Sequence, residues 1–561
     1  MDYRERDLQR LLQAVKGRDV TRRELIKRGT AIGLGGYALT NALGAVGGPA
    51  ALQARALASK LQDDPAAGVR GGTLTVASIG EPATMDEHQT TAGITAELGY
   101  CMYETLMAYD ENYRPVPMLA ESHEVSEDGL THTFKLRQGV TFHNGEPMTS
   151  ADVKASLDRW GQISGVGKRI YEATSSVDAT DEYTVTWNLT RPYGTILVAL
   201  SNNTQAAVIY PKSVVDAGTL EPNEAHIGTG PYKMVEWRPD AFMRFERFEE
   251  YAAVEGGPVG YAGTKYAYAD MIEFIPVPDI AARVSGLQAG DYLMHNQGGL
   301  SNDQQPVLQD YPGLVTQTEA FTDWPVFFLN WESPTMSNLA LREAVQAALH
   351  LDPLMQSAFG ADEFIQMDPG LMMSQTAWHT EAGIERYNMN DPDLARAKLE
   401  EAGYDGTPIR FMSTQEYGYM IATSTPAVQQ LEAVGFVMDH QVIDWATVLE
   451  RRAVPEEWDM FVTGHGFVPD PSQISYVGQM NQYPGWWSSE ESLGLAAELL
   501  AESDFDTAYP IWEQIQSNAY TEIPAIKIGD GATISSRSEK IGGWVAQTER
   551  GFKYWNLWIN E

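Results

Sequence analysis

One cysteine, Cys101, is all that 561 residues contain, so no disulfide can close within the chain and no cysteine-built zinc site exists. The ten histidines never fall at HxxxH or HExxH spacing, which removes the simplest helical metal-site pattern. GxxxxGKS/T, GxSxG and GxGxxG are missing as well. No phosphate-cradling loop, nucleophile elbow or dinucleotide fingerprint therefore marks a catalytic centre, and no enzyme activity, metal or cofactor is expected. Positive charge is scarce beyond the N-terminus. The net charge is −37, and since the first 58 residues carry +5, the remainder carries −42. Such a field repels nucleic acid and anionic membrane surfaces, and neither is expected as a partner. The acids are scattered instead of grouped in runs, which reads as a solvated acidic surface; attraction of cationic ligands is the other reading.

What the chain does have is material for cores. Apolar residues make up 43% and aromatics 10%, and the length is that of two or three domains. The first 58 residues stand apart. Thr21-Arg22-Arg23-Glu24-Leu25-Ile26-Lys27 resembles the twin-arginine export signal, with Leu and Ile where that signal usually has Phe and Leu. A weakly apolar stretch from Ala31 to Leu52 follows, and Ala56-Leu57-Ala58 supplies a small-x-small cleavage site. A transmembrane anchor is the alternative, but six glycines with Thr40, Asn41 and Pro49 make that stretch too polar and too broken. Residues 1–58 are thus expected to be removed on export to the periplasm or beyond, leaving no membrane insertion. No cysteine stands at the cleavage region to carry a lipoprotein tether.

Periodicity predicts mixed α/β structure. Leu74 and Val76 alternate with Thr73 and Thr75 as an opening strand, and Phe134 and Leu136 alternate with Thr133, Lys135 and Arg137. Tyr183, Val185, Trp187 and Leu189 form another strand with one buried face. Thr149-Ser150-Ala151-Asp152 fits a capping box, after which Val153, Leu157 and Trp160 share a helical face. Leu341, Ala344, Val345, Ala348 and Leu349 stripe a helix begun near Ser337 or Asn338. Asp391-Pro392 opens a further helix that Gly403 closes.

Several runs, in order, carry a resemblance. They are Met118-Leu119-Ala120-Glu121-Ser122, Glu127-Asp128-Gly129-Leu130-Thr131 and the long stretch from Phe134 through Gly139, Gly145 and Pro147 to Val153. Ile227-Gly228-Thr229-Gly230-Pro231-Tyr232 follows, then Ala340-Leu341-Arg342-Glu343-Ala344 and Ala397-Lys398-Leu399-Glu400-Glu401-Ala402-Gly403-Tyr404. From about Gly71 onward the chain resembles the family 5 extracellular solute-binding proteins, the peptide/nickel-type receptors. Most of these landmarks read as scaffold: Gly139 and Gly145 suit tight turns, and Gly228 and Gly230 a sharp backbone path before Pro231. The resemblance implies a two-lobed α/β fold of the periplasmic-binding-protein type (type II, with an extra subdomain) and two hinge crossings. By analogy, 71–107, 225–322 and 524–561 build lobe I, 108–224 its extra subdomain, and 323–523 lobe II. It further implies a monomer that closes on a small-molecule solute and delivers it to the permease subunits of an ABC importer. A ligand sensor feeding a chemoreceptor or kinase is the alternative role, and a secreted hydrolase is disfavoured.

Peptide-binding members resemble one another in an aspartate that pairs with the peptide α-amine shortly before a Pro-Ser or Pro-Thr segment. Here that stretch reads Gly464-His465-Gly466-Phe467-Val468-Pro469-Asp470-Pro471-Ser472. Phe467 and its neighbours stand where the acid would align, and Asp470 falls nearer the proline. A buried ammonium needs a partner charge. An oligosaccharide or other polar organic solute is therefore placed ahead of an oligopeptide, and nickel or a metal chelate third. Of the 14 tryptophans, Trp486 and Trp487 follow the turn Pro484-Gly485, where two adjacent rings are not easily both core. Together with Trp331 on the same lobe, they are expected to line the cleft and stack on the solute. Asn330, ending the apolar strand 326–329, and Tyr103 complete the candidate ligand set with Phe467 and Asp470; satisfying backbone groups is the other reading for Asn330 and packing for Tyr103.

Overall fold

The computed structural model of the chain describes residues 68–545 and 551–560, apart from 112 and 219. The export segment 1–58, with Arg22 and Arg23, lies outside the described residues.

Buried alternation builds the central strands. Leu74 and Val76 are fully buried in Thr73–Ser78, which runs parallel to Met271–Pro276. Both belong to a twelve-stranded mixed sheet that runs through both halves. From one edge its main path is Met438–Val442, Ile409–Ser413, Met460–Gly466, Leu314–Leu329 and Asp530–Ser538. It continues through Met294–His295, Thr73–Ser78, Met271–Pro276, Phe242–Arg247 and Tyr232–Arg238.

Leu314–Leu329, 16 residues long, is the bridge between the two halves. Its first part pairs with Asp530–Ser538, and its last part, from Asp323 opposite Gly466 to Leu329 opposite Met460, pairs with Met460–Gly466. The register shifts between Thr318 and Phe321 and again between Phe321 and Asp323. Such irregularities bend a strand and increase its twist. The chain returns through Ala525–Lys527, which pairs with Val326–Phe328, into Asp530–Ser538. Two crossings thus join the halves, near 318–323 and 524–530. Four apolar residues from the 225–322 segment, Val284, Leu287, Leu300 and Leu308, pack in the same core as Phe327, Val345 and Ile526, so the halves share core along the bridge.

A four-stranded antiparallel sheet, ordered Ala120–Val125, Thr131–Leu136, Thr184–Leu189 and Thr174–Asp181, forms a separate layer. Ser150–Ile163 covers it, burying Val153, Leu157 and Trp160. The Thr149 N–H donates to Asp152 at 2.8 Å, which satisfies one of the orphan groups at the helix start. Leu339–Ala348 is capped by Asn338, and Pro392–Ala402 by Asp391 with left-handed Gly403 closing it. Gly228 and Gly230 serve a different purpose from a turn. Neither has a positive φ; a Cβ on Gly228 would lie 2.2 Å from the Met102 carbonyl oxygen, and one on Gly230 would lie 2.6 Å from the Met102 carbonyl carbon. They are glycine because another backbone passes against them.

Candidate functional site

Where Met460–Gly466 ends beside the bridge, the two halves touch. The Phe467 N–H donates to the Thr322 carbonyl at 2.6 Å, holding the strand end against the crossing. The Phe467 ring, 5% exposed, meets Tyr113 of the 108–224 segment with centroids 4.5 Å apart and planes tilted by 47°. Tyr113 has φ +62°, a conformation that a bulky side chain rarely adopts and that functional positions often hold. Two more contacts span the same seam. Gln473 donates to the Tyr109 hydroxyl at 3.0 Å, and the Gly194 N–H donates to the Leu500 carbonyl at 3.0 Å.

Behind Phe467 lies an aromatic wall. Trp324 stacks on His465 at 4.8 Å and 25°, and Tyr476 and Phe328 pack on His465 in turn. Beneath Trp324 sits Lys527, fully buried and 5.6 Å from the ring centroid. Lys527 pairs with Asp530 at 2.7 Å, and Asp368 pairs with His379 at 2.9 Å. Burial pushes Asp530 up to about 6, with Lys527 opposing. Burial also raises Asp368, but the bond from His379 and the Lys527 charge bring it below its ordinary value, and the same bond raises His379.

The expected ligand residues separate into three places. Phe467 lies at the seam. Asp470 lies just beyond it, but its carboxylate is spent in its own turn, accepting from the Ser472 N–H at 2.9 Å and the Ser472 hydroxyl at 2.5 Å. Burial raises its pKa. Asn330 and Trp331 bond the Asp459 carbonyl and the Gly485 carbonyl near the Met460 end of the Met460–Gly466 strand, with Trp486 beside them, while Trp487 is joined to His465 through Tyr476.

Each of the three tryptophan rings packs on protein groups. Trp486 takes φ +49°, which turns Trp487 inward. Trp487 is 1% exposed, packs on Tyr476 and donates its indole N–H to Glu522. Trp486 rests on Trp458, with centroids 5.8 Å apart. The Arg342 guanidinium covers Trp331 at 4.2 Å. Asn330 is fully buried and its hydrogen bonds are taken. It donates to the Pro455 and Trp458 carbonyls, both at 2.8 Å, and accepts from the Glu332 and Ser333 N–H groups. Tyr103 is buried at the junction of the first lobe with the 108–224 segment, edge-on to Tyr210 at 5.3 Å. The seam residues that pattern reasoning missed are Tyr109, Tyr113, Trp324, His465 and Gln473. Only Gly464-His465-Gly466, flanking Phe467, lay in a stretch that the sequence singled out.

Two α/β lobes on one continuous sheet, crossed twice and meeting at an aromatic seam, define a two-lobed binding protein of the periplasmic type. The chain belongs to the bacterial extracellular solute-binding proteins, family 5, whose middle-region model matches residues 114–486. It is 25% identical over 489 residues to the probable peptide ABC transporter periplasmic-binding protein y4tO of Sinorhizobium fredii, covering 83% of this chain and 90% of that one. It is 24% identical over 498 residues to the glutathione-binding protein GsiB of Pectobacterium atrosepticum, covering 85% and 93%. Among solved structures, NikA from Brucella suis in complex with Fe(III)-EDTA superposes with a TM-score of 0.74 at 21% identity, covering 87% of this chain and 100% of that one.

Proposed function

We propose that the protein is the extracytoplasmic substrate-binding component of an ABC importer, and that it grips a polar organic solute at the Phe467–Tyr113 seam. Family membership supports the receptor role, and the names of the relatives support the importer. The observation that carries the ligand reading is Phe467 itself. It stands where, by resemblance, peptide-binding members hold an aspartate, and an aromatic ring of the opposite segment faces it at 4.5 Å. The next acid along the chain, Asp470, is occupied by Ser472, and Asp323 stands opposite Gly466 on the bridge. A seam of this kind favours a flat or amphipathic solute without an α-amine, such as an oligosaccharide, which aromatic faces hold by stacking and burial. The names of the relatives favour the second reading, an oligopeptide or glutathione-like ligand.

In this proposal, 71–107, 225–322 and 524–561 move as lobe I with 108–224 attached, and 323–523 as lobe II. Export uses Arg22 and Arg23, and the mature monomer hands the solute unchanged to the permease subunits. No helix among the described residues is long and apolar enough to cross a membrane. Native mass spectrometry of purified mature protein tests the ligand reading, followed by calorimetry with the co-purified compound. Stoichiometric capture of a solute lacking a free α-amine is expected. Tight binding of a peptide that is abolished by N-acetylation overturns the ligand class and leaves the receptor role standing.

A further inference from the structure

Gly194 of the 108–224 segment meets the turn that follows the helix Glu490–Ala501 across the seam. Its N–H donates to the Leu500 carbonyl at 3.0 Å. Leu500 stands in the last turn of that helix, where carbonyls have no partner within the helix. A Cβ on Gly194 would lie 2.2 Å from the Glu502 carbonyl oxygen, 2.3 Å from the Glu502 carbonyl carbon and 2.7 Å from the Ser503 nitrogen. All three are backbone atoms, so no side chain can swing aside to make room. Gly194 does not have a positive φ, so its own conformation is open to alanine. Only the chain across the seam requires glycine there.

Both sides of this contact are held in place. Tyr193 and Ile196, flanking Gly194, are buried in the core of the segment. Opposite them, the Glu502 carboxylate accepts from the Ser503 and Asp504 N–H groups at 2.8 and 2.9 Å. Asp504 in turn caps the helix Phe505–Glu522 through the Thr507 N–H at 3.0 Å, and Leu499 and Ala508 tie the turn to the core that holds Trp324. We propose, resting on the receptor reading and its division into lobes, that Gly194 is a positioning residue for closure: its missing side chain lets the 108–224 segment seat its backbone on the end of this helix when the lobes close on a solute. Alanine there leaves each lobe intact and props the two apart. A methyl group forced into a filled contact weakens the closed arrangement, and apparent solute affinity with it, by about 5- to 150-fold.

Spin labels test this directly. The one native cysteine, Cys101, is buried, so cysteines introduced at exposed Glu127 in the segment and exposed Glu400 on lobe II take the labels. Distance distributions are recorded for the dialysed mature protein and after saturation with the compound that co-purifies with it, and calorimetry reads the affinity for that compound. The parent and the control Gly165→Ala, whose added Cβ would meet nothing within 4 Å, are expected to pass from an open to a closed distance on binding. Gly194→Ala is expected to stop short of the closed distance and to bind more weakly by the factor above, while its Tm without the compound matches that of the parent. A Gly194→Ala variant that closes and binds like the parent overturns the inference. So does one that melts lower without the compound yet reaches the parent's closed distance, because the contact is then permanent packing. A parent whose distance does not respond to the compound overturns two-lobe closure itself, and the role of Gly194 with it.

Discussion

Truncating Phe467 and Tyr113, singly and together, tests whether the seam is where the lobes grip. The pair meets at 4.5 Å, and such aromatic pairs contribute about 0.5–1.5 kcal/mol beyond area burial. That corresponds to about two- to thirteen-fold in the ratio of closed to open protein, and to the same factor in apparent solute affinity. Phe467→Ala alone also loses contacts inside its own lobe, because the ring is only 5% exposed. The coupling in a double-mutant cycle isolates the cross-lobe part. Small-angle scattering of the ligand-free protein reads the open fraction, and calorimetry with the co-purified solute reads affinity. Each single alanine is expected to expand the particle and weaken binding, and the double variant to fall short of the summed losses by the coupling. Strictly additive losses, or an unchanged particle size, refute a seam that couples closure to binding.

Three further outcomes are expected. Trp487→Ala is expected to cost about 3–5 kcal/mol of stability, as buried aromatic truncations do, and Asn330→Ala to lower Tm by stranding its partners; calorimetry is expected to find solute affinity unchanged in both. His379 is raised from its ordinary value of 6.5 by its bond to Asp368. The stability it contributes is full below that value and lost as pH rises through the raised one, so His379→Gln is expected to flatten the fall in Tm over that window. Arg22→Lys with Arg23→Lys is expected to leave precursor in the cytoplasm on fractionation, and normal export of the double variant refutes the twin-arginine route.

Local elements were legible because their signals are local. The capping box at Thr149, the stripe from Leu341 to Leu349 and the Asp391-Pro392 start with its Gly403 stop each appear at the expected place. The seam was not, because its partners lie 354 residues apart for Tyr113 and Phe467 and 364 for Tyr109 and Gln473. No periodicity reports such a distance. The missing acid at Phe467 could be recognised only against the family resemblance. The burial of Trp487 was not legible for a specific reason. Adjacent loop residues do point apart, but the left-handed backbone at Trp486 sends its neighbour into the core, and nothing in Pro484-Gly485-Trp486-Trp487 announces a positive φ on a tryptophan. Gly228 and Gly230 were recognised as constrained; what constrains them, the Met102 backbone, is more than 120 residues away.

The distribution of buried charge decides which part moves. The 108–224 segment is fastened to lobe I by Asp86, which holds Arg159 at 2.6 Å with both side chains at most 4% exposed. Asp86 also accepts from the Tyr210 hydroxyl at 3.0 Å and the Asn223 N–H at 2.9 Å, and His88 bonds the Val208 carbonyl at 3.0 Å. Parting a buried ion pair leaves charges without partners, at a cost of about 3–5 kcal/mol for each pair broken on one side. His143 of the segment adds to the same junction, its N–H donating to the Gly228 carbonyl at 2.9 Å and its ring bonding the Gly230 carbonyl at 3.0 Å. The contacts described across the seam are far weaker. One aromatic pair and two neutral hydrogen bonds together contribute about 2–4 kcal/mol. In the proposed division the 108–224 segment therefore belongs with lobe I as one body, and a swing of lobe II also has to part the apolar core that the halves share along the bridge. In the proposed reading, a solute biases the lobes toward closure by the contacts it adds to the seam.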